Sequence, residues 1–239
     1  MLVLAAMDRE LRPLLRSLAL QRSFIGDEPA WSGVPGGVTA AVVGIGPAMA
    51  AETAARLLEA AERQGEPARR VLVVGVAGGV DPTLPVGAVL APAVVVDQAT
   101  GERYLPDHPP GVESAVGQPS GLLMTTPGLT TGAVALAGLR SAGVTAVDME
   151  TAAVARTCQD RGVPWSVLRA VSDRLVDGLV DREVLALTRP DGSTDPLAVA
   201  SLLLRRPWKV PRLARLGRDA GRAVRAVDRA AIGVLAANR

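Results

Sequence analysis

The sequence predicts an α/β fold: a three-layer α/β/α sandwich around a central mixed, largely parallel sheet, with a C-terminal helical extension. Three observations predict it. Aliphatic runs alternate with helical patterns, the signature of βαβ construction. Hydrophobic residues make up 49% of the chain but aromatics only 2%, so the core must be built from Ala, Val and Leu. That suits strands covered by helices on both faces, which read as continuous aliphatic runs. The 25 glycines and 18 prolines fall between those runs and read as turns. At 239 residues the chain is within range for one domain.

In order, the first predicted strand is Leu2 to Ala6, followed by a helix from about Asp8 to Leu20. A hairpin-like stretch with Gly33, Gly36 and Gly37 leads to a second run, Val38 to Ile45. Gly44-Ile45-Gly46-Pro47 is a turn, with Pro47 suited to the first turn of a helix running to Arg63. Val71 to Val76 is a buried strand that Ala77-Gly78-Gly79 ends, and Ala88 to Val96 is another strand. Residues 100–120 are rich in Pro, Gly and polar residues and read as a long surface loop. Leu122 to Thr125 and Val144 to Val147 are short strands with a helix between them. Glu150 to Arg161 is helical, Trp165 to Val171 is a buried strand, and 172–194 reads as loop. From Pro196 onward the pattern is helical, interrupted at Pro207 and Pro211. Residues 1–195 therefore read as a catalytic domain and 196–239 as an extension.

Composition narrows the chemistry. The single cysteine, Cys158, allows no intramolecular disulfide, and a cytosolic location is the default. One histidine (His108) and one cysteine make no zinc site of the usual kind, and no cofactor is expected. His108 sits in a Pro-rich stretch and suits no nucleophilic triad. The chemistry must rest on carboxylates. The start, MLVLAAMDRELRPLL, has no charge before its apolar run, so no signal peptide is expected.

Four segments sit where strands end and turns begin, the edge where open α/β sheets bind ligands. In Ala5-Ala6-Met7-Asp8-Arg9-Glu10, the acids lie at a helix N-terminus, either as caps or with Glu10 as a base at a pocket rim. Gly75-Val76-Ala77-Gly78-Gly79 lets a backbone approach a ligand closely, but lacks the spacing and lysine of a P-loop. In Val147-Asp148-Met149-Glu150, the two acids would point to one side if extended. A carboxylate there suits the vicinal hydroxyls of a ribose, and a helix start is the plainer reading. In Leu168-Arg169-Ala170-Val171-Ser172-Asp173, a half-buried Asp173 could act as a general acid through desolvation. An Arg169–Asp173 ion pair is the structural alternative.

Together, AMDREL, GVAGG, VDMETAAVA and LRAVSD resemble the nucleoside phosphorylase/nucleosidase superfamily, specifically methylthioadenosine/S-adenosylhomocysteine nucleosidases, over residues 1–178. The resemblance implies that Asp173, beside Ser172, protonates N7 of a purine. It implies that Glu150 binds the ribose hydroxyls, that Met149 packs on the sugar, and that Ala77 and Gly78 line the base. Glu10 would orient or deprotonate the attacking water. The chain departs from that pattern with Val76 in place of a serine and with no aromatic in 121–147. Val73 stands where phosphorylases of the superfamily carry a phosphate-binding arginine. Water is thus favoured over phosphate. The resemblance also implies a homo-oligomer, such as a dimer.

The stretch from Val163 onward, with RPDGSTDPLAVASLLLRRPWKVPRLARLGRDAGRA, is similar to hopanoid-associated members of the superfamily, thought to release adenine from adenosylhopane. Residues 201–239 hold ten basic and two acidic residues, while the remainder holds 16 basic and 22 acidic. Val210, Leu213, Leu216, Ala220, Val224 and Val227 form an apolar helical stripe, and Arg212, Arg215, Arg218, Arg222, Arg225 and Arg229 a second one. Such a helix either lies on an anionic membrane, making the protein cytoplasmic but peripheral to the inner face, or packs its apolar stripe on the body. Competing functions are methylthioadenosine/S-adenosylhomocysteine cleavage, futalosine hydrolysis and phosphorolysis. From another class comes a non-catalytic nucleoside-binding module. No aromatic platform or motif supports nucleic-acid binding.

Overall fold

The computed structural model describes residues 1–33, 37–178, 206, 208 and 210–238. Its elements are β1 (Leu2–Ala5), α1 (Asp8–Ser17), β2 (Gln21–Ile25), β3 (Glu28–Ser32), β4 (Thr39–Val42), α2 (Pro47–Arg63), β5 (Val71–Gly79) and β6 (Val89–Leu90). There follow β7 (Val94–Asp97), β8 (Arg103–Tyr104), α3 (Val112–Val116), β9 (Leu122–Thr125), α4 (Ala133–Ser141), β10 (Val144–Asp148), α5 (Thr151–Asp160), β11 (Trp165–Arg174), a 3-10 turn (Leu175–Asp177) and α6 (Val210–Ala236).

Strand alternation builds the layers. Successive side chains of a strand point to opposite faces. Leu2, Leu4, Val71, Val73 and Val167 pack with Leu57 and Leu58 of α2 and Val154 and Cys158 of α5. Val3, Ala5, Leu72, Val74, Leu168 and Ala170 pack on the other face with Leu11 and Leu14 of α1 and Ala223, Val227, Ala231 and Val234 of α6. The apolar stripe of α6 is thus taken up by the body over its distal half. Pro211 lies in the first turn of α6, where a residue needs no N–H partner; the predicted interruption at Pro207 lies outside the described residues.

The sheet is mixed. β1 pairs in parallel with β4 and β5, β5 with β11, and β9 with β7 and β10. The tail of β5 pairs antiparallel with β10 through Gly78 and Gly79. Ala77-Gly78-Gly79 therefore forms the last three residues of the strand, still paired, rather than a turn that follows it. β11 likewise runs on through Ser172, Asp173 and Arg174. The expected hairpin around Gly33 and Gly37 is present as the antiparallel pairing of β3 with β4, and a second hairpin, not predicted, turns at Gly26 between β2 and β3. The predicted strand over 88–96 is split into β6 and β7, which pair with different neighbours. The predicted loop at 100–120 contains β8 and α3, and buries Tyr104 and Val112. The predicted helical character of 196–205 lies outside the described residues.

Candidate active site

The ends of β5, β10 and β11 meet at Gly78, which pairs with Val147 on one side and Asp173 on the other. This pairing brings the Gly-rich, Asp-Met-Glu and Ser-Asp segments into one place. Glu10 joins them from α1. Its two oxygens have separate partners. Oε2 accepts the Met7 N–H at 3.1 Å, closing the helix cap, and Oε1 accepts the Val76 N–H at 2.9 Å. Capping and site geometry are therefore both present in one side chain. Burial pushes the Glu10 carboxyl above its ordinary range, while Arg169 and the Val76 N–H pull it back.

Arg169 is the pivot of this region and is fully buried on β11. Its Nη2 lies 2.6 Å from Asp148 Oδ2 and 3.8 Å from Glu150 Oε2. It also donates to Thr151 Oγ1 at 2.9 Å. Asp148 is further held by the Thr125 hydroxyl at 2.7 Å and by the hydroxyl and N–H of Thr151. The alternative of an Arg169–Asp173 ion pair is not realised: the two residues lie on opposite sides of a register shift between Val171 and Asp173. Of the three Arg169 guanidinium nitrogens, Nη1 has no hydrogen-bond partner among the described residues. It passes over Gly75, where an added Cβ would collide with it and lie 2.8 Å from Glu10 Oε1. Only a glycine leaves room for this crossing.

Glu150 stands at the N-cap of α5 and accepts the Gly46 N–H at 2.9 Å, 104 residues away in sequence. Gly46 has φ of +90°, a conformation open to glycine at little cost, and Pro47 then starts α2. Desolvation, with Asp148 adding to it, raises Glu150 to about 7. Asp148 and Glu150 do both reach Arg169, but Asp148 is consumed by the buried network and only Glu150 turns to the Gly46 loop. Met149, between them, is half-buried.

Asp173 forms a second pole. It is buried and has one side-chain partner, the Ser172 hydroxyl, at 2.7 Å. That hydroxyl also lies 3.3 Å from the Ala77 carbonyl. Desolvation raises the Asp173 carboxyl, and Asp177 pushes the same way. Gly78 packs against Leu175, just beyond. Every residue expected at the site (Glu10, Ala77, Gly78, Met149, Glu150, Ser172 and Asp173) thus lies along this one edge. The roles of Arg169, Gly75 and Gly46 were not predicted. The available signal for the first was a charged residue inside an otherwise apolar strand.

Buried carboxyls at the strand ends of an α/β sheet make a site suited to acid–base chemistry on a small ligand. The chain belongs to the phosphorylase superfamily, whose family model matches residues 1–205. The fold is shared with solved structures of low identity. The 5′-methylthioadenosine/S-adenosylhomocysteine nucleosidase of Neisseria meningitidis, in complex with methylthio-immucillin-A, is 20% identical with a TM-score of 0.69, covering 100% of this chain and 98% of that one. The corresponding nucleosidase of S. pneumoniae is 19% identical with a TM-score of 0.70, covering 100% and 99%. Futalosine hydrolase of Helicobacter pylori is 19% identical with a TM-score of 0.65, covering 97% and 96%.

Proposed function

We propose that this protein hydrolyses the N-ribosyl bond of a purine nucleoside, releasing adenine from a 5′-substituted adenosine. Residues 1–195 form the catalytic domain in this reading and 196–239 a basic extension. The observation that carries it is the convergence of three buried carboxyls with raised pKa, Glu10, Glu150 and Asp173, in a chain of this family. Asp173, protonated and held by Ser172, donates to N7, so the base leaves neutral. Glu150 accepts the ribose 2′- and 3′-hydroxyls and Met149 packs on the sugar. Ala77 and Gly78 face the base with backbone atoms. Water adds to C1′, and Glu10 takes its proton. A positioned proton transfer contributes roughly 10²–10⁴-fold. The carboxylates near the sugar stabilise its oxocarbenium-like transition state.

Two observations favour water over phosphate. Val73 is buried in the sheet, where no phosphate reaches it. Around the sugar position, Glu10, Asp148 and Glu150 outnumber the one guanidinium of Arg169, so an incoming dianion is repelled. The similar folds of the named nucleosidases and of futalosine hydrolase support hydrolysis of this kind. The finer reading is adenosylhopane as substrate, in hopanoid biosynthesis, with a homodimeric protein in the cytoplasm touching the inner face of the membrane through its C-terminal helix. Free adenine should appear from 5′-substituted adenosines without phosphate, at a rate that added phosphate does not change. Strict dependence on phosphate would replace hydrolysis by phosphorolysis, and no adenine from any purine nucleoside would overturn the reading.

A further inference from the structure

The distal half of the apolar stripe of α6 is already used against the sheet, so the outward face must be judged by itself. At about 100° per residue, Arg215, Arg218, Arg222, Arg225 and Arg229 fall within an arc of roughly 80°. The buried positions Ala223, Val227, Ala230 and Val234 lie on the opposite side. The stripe is about 21 Å long at 1.5 Å per residue. All five arginines are exposed. Arg218, Arg225 and Arg229 make no ion pair among the described residues. Asp219, which pairs with Arg215 and Arg222, is largely covered, its side chain 14% exposed. The face is therefore almost purely cationic, although the rest of the chain is acidic.

One end of this face is apolar as well. Val176, Trp208 and Val210 are 53%, 70% and 44% exposed. Arg215 binds Asp177 at 3.1 Å and Arg212 donates to the Gly178 carbonyl at 2.6 Å. The apolar end thus sits on the turn that follows Asp173, beside the candidate active site. Tryptophan next to a basic stripe is the composition of a membrane–water interface, where the ring sits at headgroup level and arginines meet anionic lipid.

We infer that the outward face of α6 docks on an anionic lipid bilayer, with Trp208 and Val210 entering the interface and the arginine stripe lying along the headgroups. Docking sets the edge that carries Asp173 toward the membrane. It needs only this surface, while its benefit to catalysis rests on the proposed lipid-linked substrate. The occupant differs from the one an amphipathic pattern suggests: headgroups meet arginines, and the distal half of the apolar stripe stays on the protein.

The test uses the full chain with vesicles of phosphatidylglycerol or of phosphatidylcholine. Binding to phosphatidylglycerol alone, at low ionic strength and reversed by salt, is expected, with a blue shift of tryptophan emission that Trp208→Phe removes. Each arginine at such a surface is worth roughly fivefold. The triple variant Arg218→Gln, Arg225→Gln, Arg229→Gln should bind on the order of 100-fold more weakly, with unchanged melting and unchanged adenine release from a soluble substrate. No binding at low salt, equal binding to both vesicles, or full binding by the triple variant would overturn the inference. So would salt-sensitive capture of duplex DNA, or self-association, by a protein that ignores vesicles. Adenine release is read separately, so failure of docking and failure of the proposed reaction are distinguishable.

Discussion

The two poles of the candidate site bury acids in opposite ways. Around Arg169, three carboxyls share one guanidinium and a set of N–H and hydroxyl donors. At Asp173, burial is opposed only by the Ser172 hydroxyl, with Asp177 reinforcing the shift. A carboxyl supplied with a cation and donors is kept ready to accept hydrogen bonds. A carboxyl deprived of a cation is shifted upward with only a hydroxyl to oppose it, which favours the protonated form that can donate. Burial raises all three carboxyls, and the poles differ in that a cation opposes the shift at Glu10 and Glu150 but not at Asp173.

Removing the donor should have the largest effect. Asp173→Asn keeps the shape and loses the proton, and adenine release should fall by roughly 10²–10⁴-fold while nucleoside binding, followed by calorimetry, survives. A loss confined to binding would break the contrast between poles. Arg169→Met strikes the other pole by leaving Asp148 and Glu150 buried without a cation. Unfolding in denaturant should show a loss of about 3–5 kcal/mol; a variant as stable as the parent would mean that the network stands without its centre.

Glu150→Gln should raise KM more than it lowers kcat, by roughly 10–100-fold, since a hydrogen bond to a charged acceptor is worth about 1.5–3 kcal/mol. Burial raises Glu150 to about 7, and its ionised form is the better acceptor. Nucleoside affinity should therefore weaken as pH falls through that value, and this limb should vanish in Glu150→Gln. The smallest effect is expected from Gly75→Ala, which crowds Arg169 and Glu10 together. Overpacking of this kind costs about 1–3 kcal/mol, visible as lower thermal stability with a parallel loss of rate.

Much of this was legible in the sequence because it depends on local pattern. Aliphatic runs marked β1, β10 and β11, and the residues after or at their ends carry the acids, so Glu10, Glu150 and Asp173 stand out in the sequence. What escaped depends on pairing across the chain. Arg169 and Asp173 lie four apart on one strand and looked like partners, yet a register shift in β11 separates them and Asp148 takes the arginine. Likewise Ala77-Gly78-Gly79 read as a turn closing β5, but β10 and β11 flank it and keep it paired to the last residue of the strand. The helical stripe of α6 was visible, whereas its use against the sheet over Ala223 to Leu235 required the fold.

The central claim is that Asp173 acts as a proton donor to the leaving base. It is tested most directly by cleavage of a 4-nitrophenyl riboside, whose leaving group needs no proton, beside an adenine nucleoside. If Asp173 is the acid, Asp173→Asn will cleave the nitrophenyl riboside at nearly the parent rate and release almost no adenine. An equal loss on both substrates would contradict the account and leave Asp173 with a structural role.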